Sequence, residues 1–215
     1  MNQHERAERL TRRIESFSDL VIGFSLALVA LTLQIPAHIV DLVHNPWWLI
    51  AYFWTFTVIA SIWFNHQRLF THYFWPDALA IGLNFALLSM VGLLVYFVQV
   101  FVHLHTEFDR IWAFLAYFTA FGMSLVFMGV LYLHGTRRRW AALDAQDRYI
   151  GARMAVRALL LGGLMLIGVA VSALRPARSM DDVWPVMWAV AAGALGVRAS
   201  WIILKRRIVD VQTVR

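Results

Sequence analysis

The stretch Arg13-Ile14-Glu15-Ser16-Phe17-Ser18-Asp19 opens an apolar run that continues without another charge to Pro36. A run of this length matches the roughly 20 apolar residues needed to cross a bilayer core. Asp19 therefore stands at the mouth of a membrane helix. A carboxylate at that depth is costly, so it is kept where it pairs with a cation, faces the bundle interior or serves an ion path. Arg13, six residues earlier, is the candidate partner by sequence. A secretory leader fits residues 1–36 poorly, because Asp19 interrupts the start of the run and no small-x-small cleavage site follows.

The rest of the chain repeats the pattern. It holds 215 residues, of which 60% are hydrophobic, with 10 Trp and no Cys. That composition excludes a soluble domain and points to an integral membrane protein. It also excludes disulfides, iron–sulfur ligation and thiolate catalysis. Six segments are long enough to span, at about 17–36, 47–67, 78–103, 110–134, 153–174 and 183–204, separated by breakers such as Asn45-Pro46 and Pro76-Asp77. The expected fold is an all-α membrane bundle of six helices forming a single domain over residues 1–215. Continuous apolar runs without alternation exclude short barrel strands.

The net charge of +6 comes from basic residues that flank these runs, so it is a topology signal and not a nucleic-acid surface. Fifteen Lys and Arg lie on one side, against Arg110, Arg175 and Arg178 on the other, with Arg198 inside the sixth span. Both termini are expected in the cytoplasm. Several Trp residues near span ends suit an aromatic belt, and Gly162-Gly163 with the small residues at 191–196 permit close helix packing.

That topology brings three polar sets to one depth: Arg13 with Ser18 and Asp19, then Trp63, Asn65, His66 and Arg68, then Asp77 with Asn84. Unpaired polar groups are expensive in hydrocarbon, so the expectation is a buried cluster that joins the first three spans. On the first span, Phe24, Leu28 and Leu31 share one stripe, while Ser18, Ser25 and Thr32 share a neighbouring one. Such a helix could line a narrow pore, with the apolar stripe forming a constriction that gates by dewetting and Ser25 and Thr32 as candidate polar lining.

These residues also carry a family likeness. Arg13-x-x-x-Phe17-Ser18-Asp19 with its apolar run and Pro36 resembles the first helix of the transmembrane protein 175 family, the potassium channels of endolysosomes and their bacterial relatives. Trp63-Phe64-Asn65-His66-Gln67-Arg68-Leu69-Phe70 resembles the W-x-N-H-H-R-L-F end of that family's second helix, and Asp77 with Leu83-Asn84 resembles the start of its third.

The resemblance implies a potassium or weakly selective monovalent cation channel, a homotetramer whose first helices surround the ion path. It implies that Phe24, Leu28 and Leu31 form the constriction, and that Arg13, Phe17, Ser18, Asp19 and His66 support assembly without touching ions. No cofactor or bound metal is implied beyond the permeant potassium ion. A single-unit chain resembles the bacterial members, which would place it in a plasma membrane.

The sequence also departs from the family. Phe24 replaces a usual Ile, Ala27 a usual Thr, Gln67 a second His, and no Pro occurs around Val95-Tyr96-Phe97. Two other classes offer alternative readings. A proton- or cation-coupled transporter would use Asp19, His66 and Arg198 as titrating or pairing groups. An enzyme is disfavoured, since the eight His residues lack metal-ligand spacing and no G-x-S-x-G motif occurs.

Overall fold

Three connections end in a residue whose side chain caps the helix that follows. Asp77 accepts from the Ala80 amide at 2.9 Å, Thr106 Oγ1 from the Asp109 amide at 3.2 Å, and Asp144 from the Asp147 amide at 2.7 Å. Each cap satisfies a donor that would otherwise be orphaned at a helix start, typically contributing about 1 kcal/mol.

A computed structural model describes residues 3–31, 33, 46–175 and 179–193. The helices are α1 (Gln3–Ala30), α2 (Trp47–His72), α3 (Ala78–His103), α4 (Glu107–Arg138) and α5 (Ala145–Ala173). A 3-10 turn, Met180–Val183, then leads into helical residues 184–193, labelled α6. Among the described residues all regular structure is helical.

Among the described residues, four helices are long and apolar enough to cross a membrane: Trp48–His72, Ala78–His103, Glu107–Arg138 and Ala145–Ala173. The bounds of α3 match the expected span, whereas four other helices run further than expected, α4 (Glu107–Arg138) at both ends. Helix α1 begins at Gln3, α2 continues to His72, and α5 begins at Ala145. The added turns carry Arg, Glu, Asp and Gln. Such residues are excluded from hydrocarbon but favour a helix, so the helix outlasts the apolar run. Thr32, Arg198 and residues 194–204 of the expected sixth span lie outside the described residues.

Helix α4 packs most extensively against α5 and α3, while α1 is held by α2 and α3. The α4–α5 contact depends on glycine. A Cβ at Gly162 would lie 2.6 Å from the Gly122 carbonyl oxygen, and one at Gly129 would lie 2.7 Å from Leu159 Cγ. Missing side chains thus let the two backbones approach, as small residues do between membrane helices. Gly163 is different, with no heavy atom within 4 Å of its would-be Cβ.

The pair offers a matched test. Gly162→Val is expected to cost at least about 1–3 kcal/mol through overpacking. Gly163→Ala should stay within about 1 kcal/mol of the wild type, because it meets no neighbour and gains helix propensity. Thermal melting in detergent reads both. Equal losses would mean that the close approach at Gly162 is not what holds the pair together.

Candidate pore helix and its polar anchor

Helix α1 has two dissimilar faces. Ile14, Ser18, Ile22, Ser25 and Val29 repeat at three- and four-residue intervals and are all buried. They form the face held by the rest of the chain. On the opposite side Phe24 is 62% exposed, Leu28 47% and Leu31 71%, with Phe17 and Leu20 continuing the column toward the N-terminus. Ala27 is also on this side. The expected apolar stripe is therefore a continuous outward column.

Ser25 does not join that column. Its hydroxyl donates to the Val21 carbonyl at 2.9 Å and it is turned into the chain. Within the chain it lies one position past Phe24, about 100° around the helix, on the anchored face.

The anchor is a directional chain of hydrogen bonds across three helices. The Ser18 hydroxyl donates to the Ile14 carbonyl at 2.8 Å, which leaves its oxygen free to accept from Asn84 Nδ2 at 3.0 Å. Asn84 Oδ1 then faces His66 Nε2 at 2.8 Å. Because Asn84 uses its amide to donate to Ser18, its oxygen must accept, so the proton sits on His66 Nε2. All three side chains are fully buried. The His66 ring stacks on Phe70 at 4.5 Å, and Phe70 stacks on Phe74 at 4.0 Å, which fixes the imidazole plane. His66 Nδ1 has no hydrogen-bond partner among the described residues.

Asp19 is engaged beside this chain by two donors from one face of α2. Trp63 Nε1 donates to Asp19 Oδ1 at 3.1 Å, and Gln67 Nε2 donates to the same oxygen. Trp63 and Gln67 are four residues apart and so lie one above the other. Arg13 is exposed and forms no ion pair with Asp19 within the chain. Gln67, read from sequence only as a departure from the family pattern, is the partner that reasoning missed. Its spacing from Trp63 was the available signal.

Asn65 also lies apart from the His66 chain. Its side chain donates to the Ser61 carbonyl at 2.7 Å, and its own carbonyl accepts from the Tyr132 hydroxyl at 2.7 Å. Phe17 meets Phe85 of α3 edge to face, with ring centroids 5.8 Å apart. The structure thus gathers Ser18, His66 and Asn84 in one chain, and Asp19 and Trp63 in a second contact beside it.

Asp77 belongs to a different group at the same end of the bundle. His134 Nε2 lies 2.8 Å from Asp77 Oδ2 and Arg138 Nε lies 3.5 Å from it, so the α2–α3 turn is tied to the end of α4. Tyr73 completes the joint by donating to the Asp147 carbonyl at 3.0 Å. Burial, with Asp147 adding to it, pushes the Tyr73 phenol up to about 12, so it remains a donor. Gly135 is required here because a Cβ would fall 2.2 Å from the Tyr73 carbonyl oxygen.

Partial desolvation raises the Asp77 pKa, but the Ala80 amide, His134 and Arg138 together outweigh it and hold the carboxyl below its ordinary 3.8. A depressed folded-state value gives stability that is complete above the unfolded value and lost as pH falls through the folded one. The melting temperature of the wild type should therefore exceed that of Asp77→Asn at about pH 5, by a margin that narrows below about pH 4. A margin that is unchanged down to about pH 2 would contradict this role for the charge.

Residues 13–95 match the family model described as endosomal/lysosomal potassium channel TMEM175. The α1–α3 segment is TMEM175-like. The matched region runs from Arg13 through Val95 and contains the whole Ser18–Asn84–His66 chain and the Asp19 contacts. The resemblance drawn from the three sequence motifs is borne out by this match.

The TMEM175 likeness extends in fold to nearly the full chain. One similar solved structure is a variant of the potassium channel MtTMEM175 in complex with a nanobody–MBP fusion, with TM-score 0.67 and 17% identity, covering 90% of this chain and 93% of that one. Another is a lysosomal potassium-selective channel TMEM175 homolog from Chamaesiphon Minutus, with TM-score 0.65 and 22% identity, covering 87% and 97%. No curated protein matches the sequence. The matched proteins are ion channels and not enzymes, and the apolar helices belong to an integral membrane protein.

Proposed function

We propose that this chain is a potassium channel subunit of the TMEM175 type, passing potassium or, with weak selectivity, other monovalent cations passively. Four copies assemble with α1 at the centre, each chain crossing the membrane six times with both termini in the cytoplasm. The membrane proposed for it is a bacterial plasma membrane, by its likeness in fold to the homolog from Chamaesiphon Minutus. The partners are three further copies, the bilayer and the permeant ion, and no cofactor takes part.

The observation that carries this reading is the two-faced α1. One face is anchored by the buried Ser18–Asn84–His66 chain, and the other presents Phe24, Leu28 and Leu31 in a column. Turned toward a symmetry axis, four such columns make an apolar constriction that excludes ions until it wets. Asp19 is held off the column by Trp63 and Gln67, which suits an assembly role.

The test is ion flux through purified protein in liposomes, comparing potassium, sodium and an impermeant cation under matched gradients. Dissipative potassium flux supports a channel, and the sodium ratio reports the consequence of Ala27. Saturable uphill uptake driven by a proton gradient would instead identify a coupled transporter.

A further inference from the structure

At the end of the bundle opposite His66 and Asp77, the start of α2, the end of α3 and the start of α4 enclose a groove of about 620 Å³. Its walls are almost wholly apolar, from Ile50 and Trp54 of α2, Phe101 of α3, Phe114 of α4 and Met187 of α6. The wall hydroxyls satisfy each other, Thr55 Oγ1 lying 3.2 Å from the Tyr117 hydroxyl. One charged side chain enters this lining, Arg110.

Arg110 is unusual in three ways. Its guanidinium lies 5.1 Å from the centroid of the Phe101 ring, against the groove wall, and not extended into water. Its Nε is buried with no hydrogen-bond partner among the described residues. The carboxylates of its own helical turn are directed elsewhere, Glu107 accepting from the Met180 amide at 3.3 Å and Asp109 bonding Thr106. A guanidinium carries five donors and is weakly hydrated, so a half-buried one whose Nε is shut away from water suits a planar or tetrahedral anion.

We propose that this groove is a phospholipid site, with one acyl chain lying along Ile50, Trp54, Phe114 and Met187 and the lipid phosphate on Arg110. The groove supplies the two environments that one amphipathic molecule needs: an apolar slot and, at its mouth, a cation with no carboxylate partner among the described residues. Guanidinium–phosphate pairing is charge-assisted and bidentate, and it strengthens where water is excluded. Arg110 is also one of few basic residues at its end of the bundle, where the charge bias of membrane topology would not place it.

The proposal is tested on the full chain purified in a maltoside detergent, without reference to conduction. The melting temperature is measured with added phosphatidylglycerol or with the matching diacylglycerol, which has the same chains and no phosphate. Phosphatidylglycerol is expected to raise the wild-type value by about 5 °C at saturation, and diacylglycerol by less than about 1 °C. Arg110→Gln should lose the lipid-induced rise and Arg110→Lys should keep part of it. Met187→Trp, which fills the groove from an exposed position, should lose the rise while melting normally without lipid. Two results would overturn the proposal: an equal rise in the wild type, Arg110→Gln and Met187→Trp, or stabilisation by diacylglycerol as large as by phosphatidylglycerol. A stabilisation that follows protein concentration and ignores lipid would assign the groove to a second copy and overturn it equally.

Discussion

Replacing Phe24 with alanine is expected to raise potassium flux through the reconstituted protein by on the order of tenfold, corresponding to about 1.4 kcal/mol removed from the barrier. The phenyl ring is 62% exposed in the isolated chain, so four copies around an axis would bring four rings together. An apolar ring of that kind opposes wetting, and shortening each side chain to a methyl group enlarges and wets the passage. Because the ring is exposed within the single chain, the substitution should alter the stability of the subunit fold, as distinct from the assembly, by no more than about 0.5 kcal/mol. Ile22→Ala, two residues away on the buried face, should behave in the opposite manner, costing about 2–5 kcal/mol. Flux through Phe24→Ala that matches the wild type would remove Phe24 from the constriction.

Asn84→Leu should produce the largest loss of stability among substitutions in the polar anchor. Asn84 is the middle member of the chain, accepting from His66 and donating to Ser18. Its removal leaves the buried His66 N–H without an acceptor, at a cost of about 1–3 kcal/mol. Ser18→Ala removes only the terminal hydroxyl, and Asn84 keeps its bond to His66, so a loss of about 1 kcal/mol is expected. Thermal melting of the two variants in detergent ranks them. A loss for Ser18→Ala that equals or exceeds that for Asn84→Leu would mean that the directional chain is not the unit of stability.

The parts that could be read from sequence were those in which one residue type has a single inexpensive place. Ser18, His66 and Asn84 are polar groups within apolar runs, and the topology already brought them to one depth. The bounds of α3 were legible because Asp77 after Pro76 is a cap at the edge of an uninterrupted apolar segment. The bounds of α1, α2 and α5 were less so. Hydropathy marks where hydrocarbon begins, whereas a helix ends where its backbone is capped, as Asp144 does for α5.

Partner choice was the weaker part of the reading. Asp19 was expected to take the nearest cation, Arg13, yet it is held by two uncharged donors on α2. Sequence distance along α1 does not bring those two side chains together, while the i, i+4 pair Trp63 and Gln67 faces the carboxylate from a neighbouring helix. Asp77 was likewise grouped with Asn84 by depth. Its contacts with His134 and Arg138 depend on how α4 packs against the α2–α3 turn, a long-range fact that local pattern does not contain.

The central claim is that the outward column of α1 lines the ion path, and the absence of cysteine from the sequence permits a direct test. A single cysteine is introduced at Leu28, or as a control at Ile22, which is fully buried on the opposite face. A charged, water-soluble thiol reagent is then added during potassium flux in liposomes. The reagent is expected to block flux through Leu28→Cys, to be slowed or prevented by high potassium, and to leave Ile22→Cys conducting. Conduction through Leu28→Cys that the reagent does not alter, with labelling at Leu28 absent or directed from the lipid phase, would place the column against the bilayer and contradict the account.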